Sequence, residues 1–227
     1  MSAPVVNHNE RPNCLIVLSS AIEGVSAQSF IKSFTLASTA FHVDLATQQG
    51  KVAEFVSTDE AGRRWLADFK TKSFATPISL SSVDARRYQV LLIPHSLGAA
   101  HDLANSKDLA SVIHNFISQQ KPICAIGMGV AALCCAMEKP NSTWSFTKYC
   151  LTAPSVFELA RGMDFSILPI VTEDFIKEHG ATYSASGCDN MHVVIDRHLV
   201  TGQNEASTIT AVQNLILLSN QRQAKMS

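Results

Sequence analysis

The stretch KPICAIGMGVAAL, Lys121 to Leu133, has the outline of a catalytic turn without its reactive residue. PICAI reads as a buried strand, the chain breaks at Gly127 and Gly129, and GVAALCCA reads as a helix of small residues. A strand, a sharp turn and a helix are the setting in which many α/β enzymes present a Cys or Ser nucleophile. Here the turn residue is Gly127. A side chain at such a strained position costs on the order of 1–3 kcal/mol, which an enzyme tolerates in order to aim its nucleophile. Glycine removes the strain and the chemistry together.

Other residue types could do chemistry. Cys124 lies three residues before the turn, inside the strand, and is expected to be a buried thiol rather than a displaced nucleophile. Cys134 and Cys135 fall about two turns down the following helix and read as core. None of the six cysteines has CxxC spacing, so neither a zinc ribbon nor a thioredoxin-type site is indicated. His95 and Ser96 follow VLLIP at the same edge. A Ser–His couple can support hydrolysis, but sequence neighbours seldom hold the nucleophile–base geometry, so a pocket-wall role is expected. Glu23 reads as a solvated loop acid near them. His192 and His198 share a strand face about 20 Å apart by strand rise, too far to share a metal. Arg63–Arg64–Trp65 and Arg86–Arg87–Tyr88 could touch RNA or an acidic partner, but read better as surface decoration.

These residues need elements to position them, and strand and helix signals alternate along the chain. CLIVLS, FHVDLAT, QVLLIP and PICAI read as strands. Helical spacing covers SAQSFIKSFTLASTAF with Ser26 as N-cap, then AGRRWLADFKTKSF, SKDLASVIHNFISQQ and EASTITAVQNLILLSNQ. YCLTA predicts a further strand, VTEDFIKEHG a short helix ending at Gly180, and HVVIDRHLVTG a hairpin turning near Asp196–Arg197. Repeated β–α units predict an α/β fold, a mostly parallel sheet with helices on both faces, whose ligands bind at the carboxyl ends of the strands.

With 227 residues the chain suits one domain, expected over 13–220 between flexible segments 1–12 and 221–227. A net charge of −1 argues against direct nucleic-acid binding, which needs a positive field. No apolar run reaches 18 residues and no secretory signal is apparent, so neither membrane insertion nor export is expected. Thiols scattered through apolar segments fit a reducing, cytoplasmic setting.

Three segments carry a resemblance: LLIPHSLGAAHDL, KPICAIGMGVAAL and HVVIDRHLVTGQNEAS. Together, over about Cys14 to Leu218, the chain resembles the PfpI-like, Parkinson-disease-7-like branch of the class I glutamine-amidotransferase-like superfamily, nearest to its chaperone/glyoxalase III subgroup. The resemblance implies a flavodoxin-like three-layer sandwich. It also implies a site built from an elbow Cys, a base His, an acid and an oxyanion-binding Gly-Gly loop. Carried over residue by residue, the nucleophile falls on Gly127 and the adjacent His on Met128. The first-helix Glu falls on Gln28, the His that precedes a Pro in other relatives on Ala153, and the Gly-Gly pair on His95–Ser96. The structural positions Pro94, Gly98, Pro122, Gly129 and Thr201–Asn204 remain.

The resemblance therefore implies a vestigial site with no catalytic residue, metal or cofactor: a pseudoenzyme acting as a scaffold or interaction subunit. It also implies self-association as a homodimer or homotetramer. A further implication is membership of a multi-subunit early-endosomal effector complex, FERRY, that links mRNAs to endosome transport. The chain would then be cytoplasmic and reach the early-endosome surface through its partners. Two alternatives stand beside this reading. One is a small-ligand sensor using the vacated pocket. The other is a residual glyoxalase, deglycase or hydrolase activity through His95, Ser96 or Cys124.

Overall fold

A computed structural model describes residues 11–138, 143–162 and 165–226. Its central sheet comprises β1 (Asn13–Val17), β2 (His42–Thr47), β3 (Ile78–Ser79), β4 (Val90–Ile93), β5 (Ile123–Ile126), β6 (Val193–Asp196) and β7 (Leu199–Gly202). The spatial order is β6-β7-β5-β4-β1-β2-β3. Every neighbouring pair is parallel except the β6–β7 hairpin at one edge. The longer helices are α1 (Ala27–Ala40), α2 (Glu60–Lys70), α3 (Lys107–Ser118) and α4 (Thr208–Met226).

Two-fold alternation along each central strand divides the core into two apolar layers. Cys14, Ile16, Val90, Leu92, Cys124, Ile126 and Val200 pack beneath α1, α2 and α4, joined by Phe30, Leu66, Phe69 and Leu215. Leu15, Val17, Leu91, Ile93, Ile123, Ala125 and Leu199 face the other way, against Leu109, Ile113 and Phe116 of α3. VLLI and ICAI are buried at every residue, which is why they read as unbroken apolar runs rather than alternating ones. Burying each large aliphatic side chain stabilises the fold by about 1.5–3 kcal/mol. The arrangement is the flavodoxin-like sandwich that the resemblance implied.

Local signals set the helix starts. The Ser26 hydroxyl accepts from the Ser29 N–H at 3.1 Å, and Ser106 caps α3 through the Leu109 N–H at 3.1 Å. Each such cap contributes about 1 kcal/mol. After β5 the expected helix is instead a 3-10 helix, Gly127–Cys135, buried at every residue and lacking a side-chain N-cap. Nine residues exceed the usual length of such helices. Gly129 allows its close approach to β4, since a Cβ there would lie 2.3 Å from the Pro94 carbonyl oxygen. YCLTA contributes Cys150–Leu151, which pairs with Thr182–Tyr183 in a separate two-stranded sheet.

At the C-terminal end α4 continues to Met226, and Arg222 Nη2 donates to the Gln119 carbonyl at 3.1 Å. The segment 1–12 lies outside the described residues except Arg11 and Pro12, and the Pro12 carbonyl accepts from the His42 N–H at 2.9 Å.

From β1 the chain moves to β2 on one side, and later returns to β4 on the other side of β1. That reversal opens a crevice at the carboxyl ends of β1, β4 and β5, where ligands bind in open α/β sheets. The loops carrying Glu23, His95 and Gly127 meet there.

Candidate vestigial active site

Gly127 closes β5 with φ +54°, the left-handed turn that a nucleophile elbow requires. The space above it is taken. A Cβ on Gly127 would lie 2.1 Å from His95 Nδ1, 2.8 Å from Cγ and 3.1 Å from Cε1. All three atoms belong to the imidazole, so the ring stands where a nucleophile's side chain would begin. His95 Nδ1 also accepts the Met128 N–H at 3.0 Å. In an elbow that N–H is a donor to a developing oxyanion. One side chain thus fills the nucleophile's volume and occupies an oxyanion donor.

The ring is held from behind. The His95 N–H donates to Ser29 Oγ at 3.0 Å, and its carbonyl accepts from the Ser26 N–H at 3.0 Å. Ser29 Oγ lies 3.0 Å from Thr208 Oγ1, tying the start of α1 to the start of α4. Since Nδ1 is an acceptor, the neutral ring carries its proton on Nε2. Burial pushes the His95 pKa below the usual histidine value, outweighing the opposing pull of the Glu205 and Glu158 carboxylates.

Ser96 is buried, and its hydroxyl donates to the Gly24 carbonyl at 3.0 Å. His95 and Ser96 are therefore turned to different partners and do not form a couple. His95 is more than the pocket wall expected. Met128, where the family's adjacent His falls, is 1% exposed and clustered with Ala100, Ala131, Leu159, Leu168 and Ile170. Its thioether follows the small apolar residues on the inner side of the 3-10 helix, leaving the elbow to the imidazole.

Gln28 sits partly buried in the first turn of α1. Ala153 is fully buried, and its carbonyl accepts the Tyr183 hydroxyl at 3.0 Å. Glu23 is not the fully solvated acid expected, because its Oε1 lies 3.6 Å from His101 Nδ1 and its side chain is two-thirds covered. Burial pushes the thiol pKa of Cys14, Cys124 and Cys134 far up and that of Cys135 up to about 12. A buried thiol that stays protonated is a poor nucleophile.

The candidates away from the elbow do not converge on it. His192 Nε2 lies 3.0 Å from Ser184 Oγ, and His198 is buried in the turn of the β6–β7 hairpin. Among the described residues no group of three or more His, Cys, Asp or Glu could hold a metal ion. The aromatic residues beside the arginine pairs turn inward. Trp65 stacks on Phe69 with ring centroids 5.1 Å apart, and the buried Tyr88 donates to Asp44 at 2.8 Å. Neither is a platform for a base. No helix among the described residues is long and apolar enough to cross a membrane.

One hub went unnoticed in the sequence. The Glu158 carboxylate accepts from the Ser155 N–H at 3.2 Å, Gln203 Nε2 at 2.8 Å, Asn204 Nδ2 at 2.8 Å and the Asp189 N–H at 2.7 Å. It fastens the TGQN segment to the short helix Val156–Leu159. Beside it, Glu205 accepts the Ser26 hydroxyl. The signal was present as Ser155-Val-Phe-Glu158, a capping-box spacing that the structure completes in both directions.

No family model matches the chain. The chain is similar to human glutamine amidotransferase-like class 1 domain-containing protein 1, at 55% identity over 93% of this chain and 96% of that protein. The Danio rerio protein of the same name is 52% identical over 93% of this chain and 99% of its own. Among solved structures, glyoxalase III from Candida albicans matches with a TM-score of 0.82 and 16% identity, covering 92% of this chain and 98% of that one. The 24 kDa Rapid Encystment Protein of Francisella tularensis matches at 0.81 and 21% identity, covering 92% and 99%. At such identities these structures speak for the fold alone.

Proposed function

Because this chain belongs to the family of glutamine amidotransferase-like class 1 domain-containing protein 1, we propose that it keeps the amidotransferase-like fold without the chemistry. In this reading it serves as a scaffold or interaction subunit, in an early-endosomal effector complex (FERRY) linked to mRNA transport. It self-associates as a homodimer or homotetramer and reaches the endosome surface from the cytoplasm through partner subunits.

The observation that carries the non-catalytic part is the His95 imidazole. Losing a nucleophile leaves a cavity that a substrate carbonyl can still enter. Here the cavity is filled, and the donor that would stabilise an oxyanion is already satisfied. Catalysis by such a turn needs preorganised donors free to meet the developing charge, so activity would first require the ring to leave. The complex and its location rest on the family resemblance.

Two measurements test the reading. Purified protein is assayed for turnover of methylglyoxal and of p-nitrophenyl acetate, with no rate above buffer expected. Turnover abolished by His95→Ala, Ser96→Ala or Cys124→Ala would overturn the non-catalytic assignment. Native size-exclusion chromatography of gentle cell lysate, read by mass spectrometry, should find the chain in a large assembly with stoichiometric foreign subunits. Elution only as a homo-oligomer would remove the complex from the proposal.

A further inference from the structure

The other end of the sheet holds a pocket of about 500 Å³, where α3 and α4 end beside the start of β5 and the turn of the β6–β7 hairpin. Its lining includes Gln119, Gln120, Arg197, His198, Arg222 and Lys225, and no carboxylate. We propose that this pocket binds a small phosphate-bearing anion, with Arg222 and Lys225 as the charged contacts and the glutamine side chains as neutral donors.

The competing explanation is local. Two helices end at this pocket, and helix C-termini attract cations because each carries roughly half a negative charge. Arg222 does serve one of them, donating to the Gln119 carbonyl at 3.1 Å. That bond engages one of the guanidinium's five N–H donors. Arg197 is neutralised by Asp196 at 2.9 Å and lies over the Tyr149 ring. Arg222 and Lys225 have no carboxylate within ion-pair distance among the described residues. Lys121 is not part of the lining: its amine rests on the Ala85 carbonyl at 3.0 Å, where it feels the Asp84 carboxylate as well as the Arg222 charge. Two helix ends offset about one of the two charges on Arg222 and Lys225. About one positive charge is left over in a concave site free of carboxylates, which suits a phosphate-bearing anion.

A second observation points the same way. His198 lines the pocket, is 9% exposed, and its Nε2 has no hydrogen-bond partner among the described residues. Buried polar atoms are normally paired. One left unpaired beside uncompensated cations marks a place where a polar ligand or its hydration completes the structure. The pocket lies at the opposite sheet end from Gly127, so this proposal stands or falls independently of the non-catalytic reading.

The test is isothermal titration of the full chain with inorganic pyrophosphate, against sodium chloride at matched ionic strength. Saturable binding is expected in the wild type. Lys225→Gln, at a side chain with no ion pair among the described residues, should weaken it several-fold, and the Arg222→Gln/Lys225→Gln pair at least tenfold. Arg63→Gln/Arg64→Gln on the distant α2 should leave affinity unchanged. Titration with ADP then identifies the source. Tighter binding of ADP than of pyrophosphate assigns the phosphate to a nucleotide, whereas equal or weaker binding assigns it to free or otherwise esterified phosphate. No binding beyond the chloride control, or equal binding by wild type and both variants, overturns the proposal.

Discussion

Replacing Gly127 with alanine is the sharpest probe of the plugged elbow. The added methyl would lie 2.1 Å from His95 Nδ1, well inside contact distance, at a residue with φ +54°. Three costs then combine. A non-glycine residue in the left-handed region loses about 1–2 kcal/mol. Forcing the ring aside strains a packed site by about 1–3 kcal/mol. Leaving the Met128 N–H without its acceptor costs about 1–3 kcal/mol. Allowing for partial relaxation, Gly127→Ala should destabilise the protein by about 3–5 kcal/mol. The decisive experiment is the cycle with His95→Ala. All three nearest atoms to the new methyl are ring atoms, so in the His95→Ala background only the backbone cost of about 1–2 kcal/mol should remain. Urea unfolding of the four proteins, read from midpoints at unchanged slope, should give a coupling of about 2–3 kcal/mol. If Gly127→Ala costs the same in both backgrounds, within the ~0.5 kcal/mol typical of independent sites, the ring does not occupy the elbow and the argument fails.

Three further outcomes are expected. Stability should fall as the solution is acidified below about pH 6.5, because burial lowers the folded-state pKa of His95 and His198 below the unfolded histidine value. The unfolded chain then binds protons first, with a limiting slope of about 1.4 kcal/mol per pH unit per histidine. His95→Gln should flatten the profile, and an unchanged profile would refute the assignment. Iodoacetamide at pH 8 should label the half-buried Cys150 and Cys188 in the native protein and spare Cys14, Cys124, Cys134 and Cys135 until urea is added, as read by peptide mass spectrometry. Glu158→Gln should destabilise by about 1–3 kcal/mol by weakening charge-assisted bonds to two backbone N–H groups and two amides, with faster hydrogen exchange at Asp189 as the local signature.

The elements were legible because each rests on local physics. VLLI and ICAI could only be buried strands, Ser26 and Ser106 cap the helices they precede, and Arg197, at φ +57°, turns the hairpin where its sequence predicted. The helix after β5 was harder to read. Gly127–Cys135 carries no cap and no polar face, so nothing in its pattern distinguishes a 3-10 winding from an α-helix. Glu158 was missed because three of its four partners lie at least 31 residues away, at Asp189, Gln203 and Asn204.

The composition of the site was likewise a sequence property. A glycine at the elbow excludes nucleophilic attack from that position whatever surrounds it, because no side chain exists to attack. What stands in the vacated space is not a property of that residue. His95 and Gly127 are 32 positions apart in the sequence, and only the parallel pairing of β4 with β5 brings their loops together. The direction of the imidazole depends on the Ser26 and Ser29 bonds that pin its backbone and on the Met128 N–H that donates to Nδ1. Residue types decide which chemistry is absent. Whether the absence leaves an open cavity or a filled one depends on volume and on unpaired donors, which exist only once the strands are side by side.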